Sequence, residues 1–139
     1  MNKNKWFFFV PFLFALVVSC QTESEVVCEE HEKTSCGEDV TKTNIRLKNV
    51  SNYDFCNVVI GASEMVNFGI VKSGQSTCYV SFDEAYRYSY VQLFIDGKEF
   101  KIQPVDFVGE EALGEGYFTY SIGVEDRDER TLSQTTTED

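Results

Sequence analysis

Asp96-Gly97 is the dipeptide that a two-residue type I′ hairpin turn demands, because both central residues of that turn take positive φ. It stands between two extended runs, Tyr86–Ile95 and Lys98–Ile102, so an antiparallel hairpin is expected there. Pro104 ends the returning strand, since proline offers no donor to a ladder. Alternation of the same kind recurs on both sides. In Asn44-Ile45-Arg46-Leu47-Lys48 the aliphatic residues share one face and the basic residues the other, as in a half-buried strand. Ser51-Asn52-Tyr53-Asp54 supplies turn chemistry, Phe55–Gly61 is β-branched and closed by a glycine, and Met65–Val71 is a weaker run interrupted by Gly69. After the turn at Ser73-Gly74, Gln75–Phe82 puts Ser76, Cys78, Val80 and Phe82 on one face. Gly116–Val124 does the same with Phe118, Tyr120, Ile122 and Val124. Between them, Val105–Gly114 is a loop whose Phe107, Val108 and Leu113 would cap the end of the core. About seven strand candidates, closely spaced turns and no helical period predict an all-β fold, an antiparallel two-layer β-sandwich of immunoglobulin-like size. A closed barrel is the alternative. The folded body is expected over 43–125.

The flanks read differently. Lys3 and Lys5 precede Trp6–Val18, an uninterrupted apolar run too short to cross a bilayer core of about 30 Å, which is the pattern of an export signal over 1–19. From Gln21 to Val40 the chain is acidic and poor in apolar residues, and 20–42 is expected to be a tether. Past Glu125, DRDERTLSQTTTED is almost devoid of apolar residues, so 126–139 is expected to be a disordered acidic tail.

The apolar run ends Val17-Val18-Ser19-Cys20, which resembles the lipobox of bacterial lipoproteins. The resemblance implies cleavage before Cys20, acylation of its sulfur and new amino terminus, and attachment to a membrane through that lipid. Glu23 and Glu25 soon after it resemble the signal that sends lipoproteins of Bacteroidota to the outer face of the outer membrane. SNYDF in Ser51–Phe55, SFDEAYRYSYVQLFIDGKEF in Ser81–Phe100 and QPVDFVGE in Gln103–Glu110 resemble the small lipoproteins common in those bacteria. That likeness implies an outer-membrane location and carries no chemistry with it.

Charge and cysteine usage agree with export. Removal of the signal takes Lys3 and Lys5 and no acid, leaving 10 basic against 23 acidic residues, a formal charge of −13 where the whole chain has −11. Such a chain is repelled by phosphate backbones, so nucleic acid is not expected as a partner. With Cys20 assigned to lipid, Cys28, Cys36, Cys56 and Cys78 remain, an even set suited to an oxidising space. Of the three pairings open to them, Cys28–Cys36 within the leader and Cys56–Cys78 within the body are favoured, because parity turns Cys56 and Cys78 toward the apolar set.

Little in the chain suggests catalysis. A histidine-assisted nucleophile needs a base held in place, and the one histidine, His31, lies in the leader. Carboxylates are abundant, but no pair is singled out for glycoside cleavage. Cys28, His31 and Cys36 could ligate a soft metal, yet they lack a fourth ligand, and an oxidising compartment favours disulfides. Glu125, Asp126, Asp128 and Glu129 lack the glycine and spacing of a calcium loop. No metal and no cofactor are expected. The most suggestive feature is Tyr86, Tyr88 and Tyr90, continued by Phe94, an aromatic stripe that would stack on sugar rings or dock a partner if it faced solvent. The chain is therefore expected to be a non-catalytic binding or scaffolding lipoprotein meeting an envelope protein or a glycan. A carbohydrate-binding accessory module is the first alternative and a carboxylate-based glycan-active enzyme the second.

Overall fold

The computed structural model describes Cys28 and residues 32–105 and 109–139. The expected signal segment with Cys20, as well as Glu23, Glu25, His31, Phe107 and Val108, lies outside the described residues.

Eight strands and no helix make up the described chain: β1 (Thr43–Asn49), β2 (Cys56–Gly61), β3 (Met65–Asn67), β4 (Val80–Phe82), β5 (Tyr90–Ile95), β6 (Lys98–Ile102), β7 (Gly116–Asp126) and β8 (Thr131–Glu138). They form two four-stranded sheets, β4-β1-β7-β8 and β3-β2-β5-β6. The all-β, two-layer expectation holds. One pair departs from it, since β1 lies parallel to β7, Thr43 opposite Gly116 through Asn49 opposite Ile122, while the other ladders are antiparallel.

Alternation accounts for the core between the layers. Ile45 and Leu47 of β1, Val58 and Ile60 of β2, Val91, Leu93 and Ile95 of β5, and Phe118, Tyr120 and Ile122 of β7 all point inward and are buried. Phe55, Phe68, Phe82 and Phe100 complete the interior. The hairpin forms as its dipeptide predicts, with Asp96 at φ 48 and Gly97 at φ 72, and Ile95 facing Lys98 across it.

Four expected segments differ from what the chain does. The run from Tyr86 enters a strand only at Tyr90, because Tyr86–Ser89 is the crossover from one sheet to the other. There the Tyr120 hydroxyl donates to the Tyr86 carbonyl, Thr136 Oγ1 donates to the Arg87 carbonyl at 2.6 Å, and the Ser89 amide donates to Gln134 Oε1 at 3.2 Å. Side chains thus replace a neighbouring strand as partners. Within Gln75–Phe82, only Val80–Phe82 is regular, because the Leu47 amide takes the Thr77 hydroxyl rather than a carbonyl as its acceptor, at 2.9 Å.

The expected disordered tail at 126–139 is the largest correction. Thr131–Glu138 is β8, the eighth strand beyond the seven anticipated, and it pairs with β7 from Phe118–Glu138 to Asp126–Thr131. Its inward side chains are polar because they bind the crossover instead of filling the core. Gln134 and Thr136 lie opposite Ile122 and Tyr120, on the face that the crossover passes.

The leader is likewise joined to the body where it was expected to be a tether to residue 42. The Thr34 amide donates to the Asn67 carbonyl on β3 at 2.8 Å, and Gly37 bridges in parallel to Val80 on β4. Those are the outer strands of the two sheets on the same side of the sandwich. The leader straps two edges that would otherwise present unpaired backbone groups.

Candidate functional site

The two disulfides are Cys28–Cys56 and Cys36–Cys78, with Cα separations of 5.6 and 5.8 Å, in place of the Cys28–Cys36 and Cys56–Cys78 pairing favoured by parity. The parity argument fails at a bulge. Cys56 faces Phe94 while Val59 faces Gln92, so three residues of β2 span two of β5, and Asn57 takes a φ of 47°. The slip turns Cys56 to the outer face beside Phe94 while Val58 and Ile60 still point to the core. Cys78, for its part, leads into β4 of the other sheet. The strap runs past both layers and supplies each with a partner. Because Cys28 and Cys36 are both consumed in these bonds, neither thiolate is free for the soft-metal arrangement weighed from sequence.

The tyrosines do not form one stripe. Tyr86 and Tyr88 are in the crossover and only Tyr90 is in β5. The Tyr86 hydroxyl donates to Glu84, and that hydrogen bond, with some desolvation, raises its pKa above the usual phenol value. Tyr90 is half-buried and donates to Gln92 Oε1 at 3.1 Å, while Gln92 Nε2 donates to Glu99 Oε1 at 2.5 Å. Tyr88 remains as the open aromatic of the three, 56% exposed.

Tyr90 belongs instead to the outer face of the β3-β2-β5-β6 sheet, with Phe94, Gln92, Val59, Glu99 and Lys101. Gly61 sits opposite Tyr90, and the Met65 thioether lies in the space its missing side chain leaves. A Cβ there would be 2.6 Å from Met65 Sδ and 3.1 Å from Tyr90 Cβ. Met65 itself is 62% exposed. On this face Lys101 pairs with Glu99 at 3.2 Å, and the Lys33 side chain of the strap lies over Gly69.

The outer face of the other sheet carries a polar cluster that sequence reasoning missed. Arg46 Nε donates to Thr119 Oγ1 at 2.9 Å and lies 3.4 Å from Asp139 Oδ2, with its guanidinium 5.1 Å from the centroid of the Tyr79 ring. The Tyr79 hydroxyl donates to Asp139 Oδ2 at 2.6 Å, and Tyr117 meets the Tyr79 ring edge-on at 5.1 Å. Burial, then the Asp139 carboxylate, pushes the Tyr79 phenol up to about 12. Burial alone would raise Asp139, but hydrogen bonds from Thr119 and Tyr79 and the Arg46 charge hold its carboxyl below the usual value. These charges satisfy one another, so the cluster fastens β1, β7 and the approach to β4 together. The outward parity of Arg46 was its one visible signal.

A groove of ≈ 430 Å³ runs between the strap and the edge strands, with Glu38, Asp39, Lys42 and Glu64 among its lining residues. Lys42 is held by Asp83 at 2.8 Å, which raises its pKa. Glu125 and Asp126 end β7, and Asp128 and Glu129 lie in the turn to β8, where Asp126 Oδ1 accepts from the amides of Asp128 and Glu129 at 2.8 and 2.9 Å. Among the described residues no three His, Cys, Asp or Glu side chains converge as metal ligands.

The geometry thus defines a disulfide-strapped β-sandwich, with half-buried Tyr90 and Phe94 on the outer face of one sheet. No family model and no curated protein matches the chain. Among solved structures it is similar to a protein from Eubacterium rectale determined by NMR, with a TM-score of 0.51 and 14% identity over 72% of this chain and 94% of that one. That likeness concerns the fold alone.

Proposed function

We propose that the chain is a lipid-anchored lipoprotein of the outer membrane, facing the cell surface, whose immunoglobulin-like sandwich is a non-catalytic binding or scaffolding module. The observation that carries this reading is the pair of disulfides. Both join the leader that follows Cys20 to the body, one to each sheet, and such bonds persist in oxidising compartments. The lipobox-like Val17-Val18-Ser19-Cys20 and the acids Glu23 and Glu25 support the same placement. Growth with an alkyne fatty acid should label the protein, and Cys20→Ala should abolish both the label and recovery in the membrane fraction. An unlabelled parent protein overturns the reading.

Tyr88 favours the carbohydrate-binding alternative, because an exposed ring is what stacks on a sugar face. On a glycan array, Tyr88→Ala should lose any signal that the parent protein gives while melting at the same temperature.

A further inference from the structure

We infer that the groove between the strap and the edge strands is a docking slot for an extended, lysine- or arginine-bearing segment of a partner protein, which pairs with the backbone of Met65; this rests on the binding-module reading above. The slot exists because the strap leaves β3 one rung early. The Thr34 amide donates to the Asn67 carbonyl at 2.8 Å and the Thr34 hydroxyl accepts from the Asn67 amide at 3.3 Å, after which the chain crosses to Gly37 on the β4 edge. In an antiparallel ladder the amide and carbonyl of alternate residues face the partner strand, and those between face away. On β3 the Glu64 carbonyl accepts from the Ala62 amide and the Phe68 amide donates to the Val58 carbonyl, so Met65 and Asn67 face outward. Before Met65, the Ser63 amide is taken by the Glu84 carbonyl at 3.2 Å. Met65 is left with an outward donor and acceptor that no group among the described residues meets. An unpaired rung on an edge strand is where another chain adds. A single extended residue offers the matching acceptor and donor together, which selects a peptide over a simple ion.

Charge sets the kind of peptide. The groove, of ≈ 430 Å³, is within the size range of ligand pockets, and Asp39, Lys42, Glu64 and Met65 are among the residues that line it. Lys42, the one basic residue among its described lining, is held by Asp83 at 2.8 Å. The carboxylates of Asp39 and Glu64 also lie close enough to help raise its pKa. Three acids around one lysine leave the slot negative, so a basic side chain is drawn in and an acidic one kept out. The exposed Met65 side chain adds an adaptable apolar contact for the rest of such a segment.

The test reads Met65 directly. The chain has two methionines, Met1 and Met65, and loss of the signal removes the first. Mature lipoprotein labelled with isotopic methionine therefore gives one methionine amide and one methionine methyl resonance, both from the slot. In detergent micelles it would be titrated with the capped peptide Val-Lys-Val-Lys-Val and with its counterpart bearing glutamate in place of lysine. Both resonances should shift saturably with the lysine peptide and stay in place with the glutamate peptide. Glu64→Lys should weaken binding at least about fivefold, whereas Glu129→Lys, the same change of charge in the β7–β8 turn, should alter it less than about twofold. Glu64→Gln takes the place of Glu64→Lys should that variant fail to fold. A Met65 amide that does not move, or that moves equally with both peptides, overturns the proposal. Equal weakening by the two lysine variants overturns it as well, because attraction to the acidic chain as a whole would then account for the binding. The alkyne label, read on the same protein, separates this from failure of the anchored reading. Labelled protein with an unmoved Met65 rejects the slot alone, and unlabelled protein rejects the anchor whatever the titration gives.

Discussion

Asn49 satisfies more backbone than any apolar residue in its place could. It is buried at the end of β1, its amide donates to the carbonyls of Tyr53 and Val71 at 2.7 and 3.0 Å, and its Oδ1 accepts from the amide and hydroxyl of Ser51. Asn49→Leu leaves those groups stranded, and chemical denaturation should show a loss of about 2–3 kcal/mol. Tyr120→Phe, which removes the hydroxyl that donates to the Tyr86 carbonyl, should cost about 1 kcal/mol in the same measurement. The Tyr79–Asp139 pair gives the fold a dependence on pH with two branches. Asp139 has a lowered folded pKa, so its contribution is present above the ordinary carboxylate range and is lost as pH falls through the folded value. Tyr79 is raised from 10.0 to about 12, so its contribution is complete below 10 and disappears as pH rises toward 12. Melting temperatures across pH should show Asp139→Asn converging on the parent in acid and Tyr79→Phe converging on it in alkali. At this scale the sequence was legible only where a residue acts through parity. Arg46 and Asp139 are far apart in the chain, and no local pattern announces that they meet.

Among the elements, hairpin β5–β6 and strands β1 and β7 were readable because their patterns are local: a positive-φ dipeptide in one case, alternation in the others. β8 was not readable, because a strand whose inner face hydrogen-bonds a crossover has the composition of a solvated tail. Its Leu132, which packs against the core opposite Val124, was the one apolar hint. The distinction has a direct test. Ending the chain after Arg130 removes the ladder to β7 and the partners of Arg87 and Ser89. With each ladder bond worth about 1 kcal/mol net, the loss should consume most of a stability in the usual range of about 5–15 kcal/mol. Circular dichroism should then show a largely unfolded chain, where a disordered tail would have been removed without effect. The crossover explains the tyrosines in the same terms. Tyr86 and Tyr88 alternate with Tyr90 in sequence, but Tyr120, Gln134 and Thr136 draw the backbone out of strand geometry before β5 begins.

For the molecule as a whole, the strap determines which edges are open to other chains. One side of the sandwich exposes β3 and β4, and the leader covers both through Thr34 and Gly37, held by Cys28–Cys56 and Cys36–Cys78. Connectivity was beyond reach from spacing because it depends on a one-residue bulge at Asn57 and on the leader lying across two layers rather than folding on itself. Peptide mapping without reduction should recover the cross-links 28–56 and 36–78. Closing loops with separations of 28 and 42 residues, each bond should stabilise the fold by about 3.5–4 kcal/mol on the chain-entropy estimate. Replacing Cys36 and Cys78 by Ser should therefore lower stability by that amount, and it should do something further that a purely entropic role would not. Freed from Cys78, the segment at Gly37 no longer guards the β4 edge, whose amide at Ser81 otherwise donates to the Gly37 carbonyl at 3.1 Å. An open edge recruits other chains by strand pairing. Size-exclusion chromatography under conditions where the variant is still folded should reveal concentration-dependent association that the parent lacks. A variant that loses stability yet remains monomeric would show that the disulfide acts through chain entropy alone and that the strap does not protect the edge.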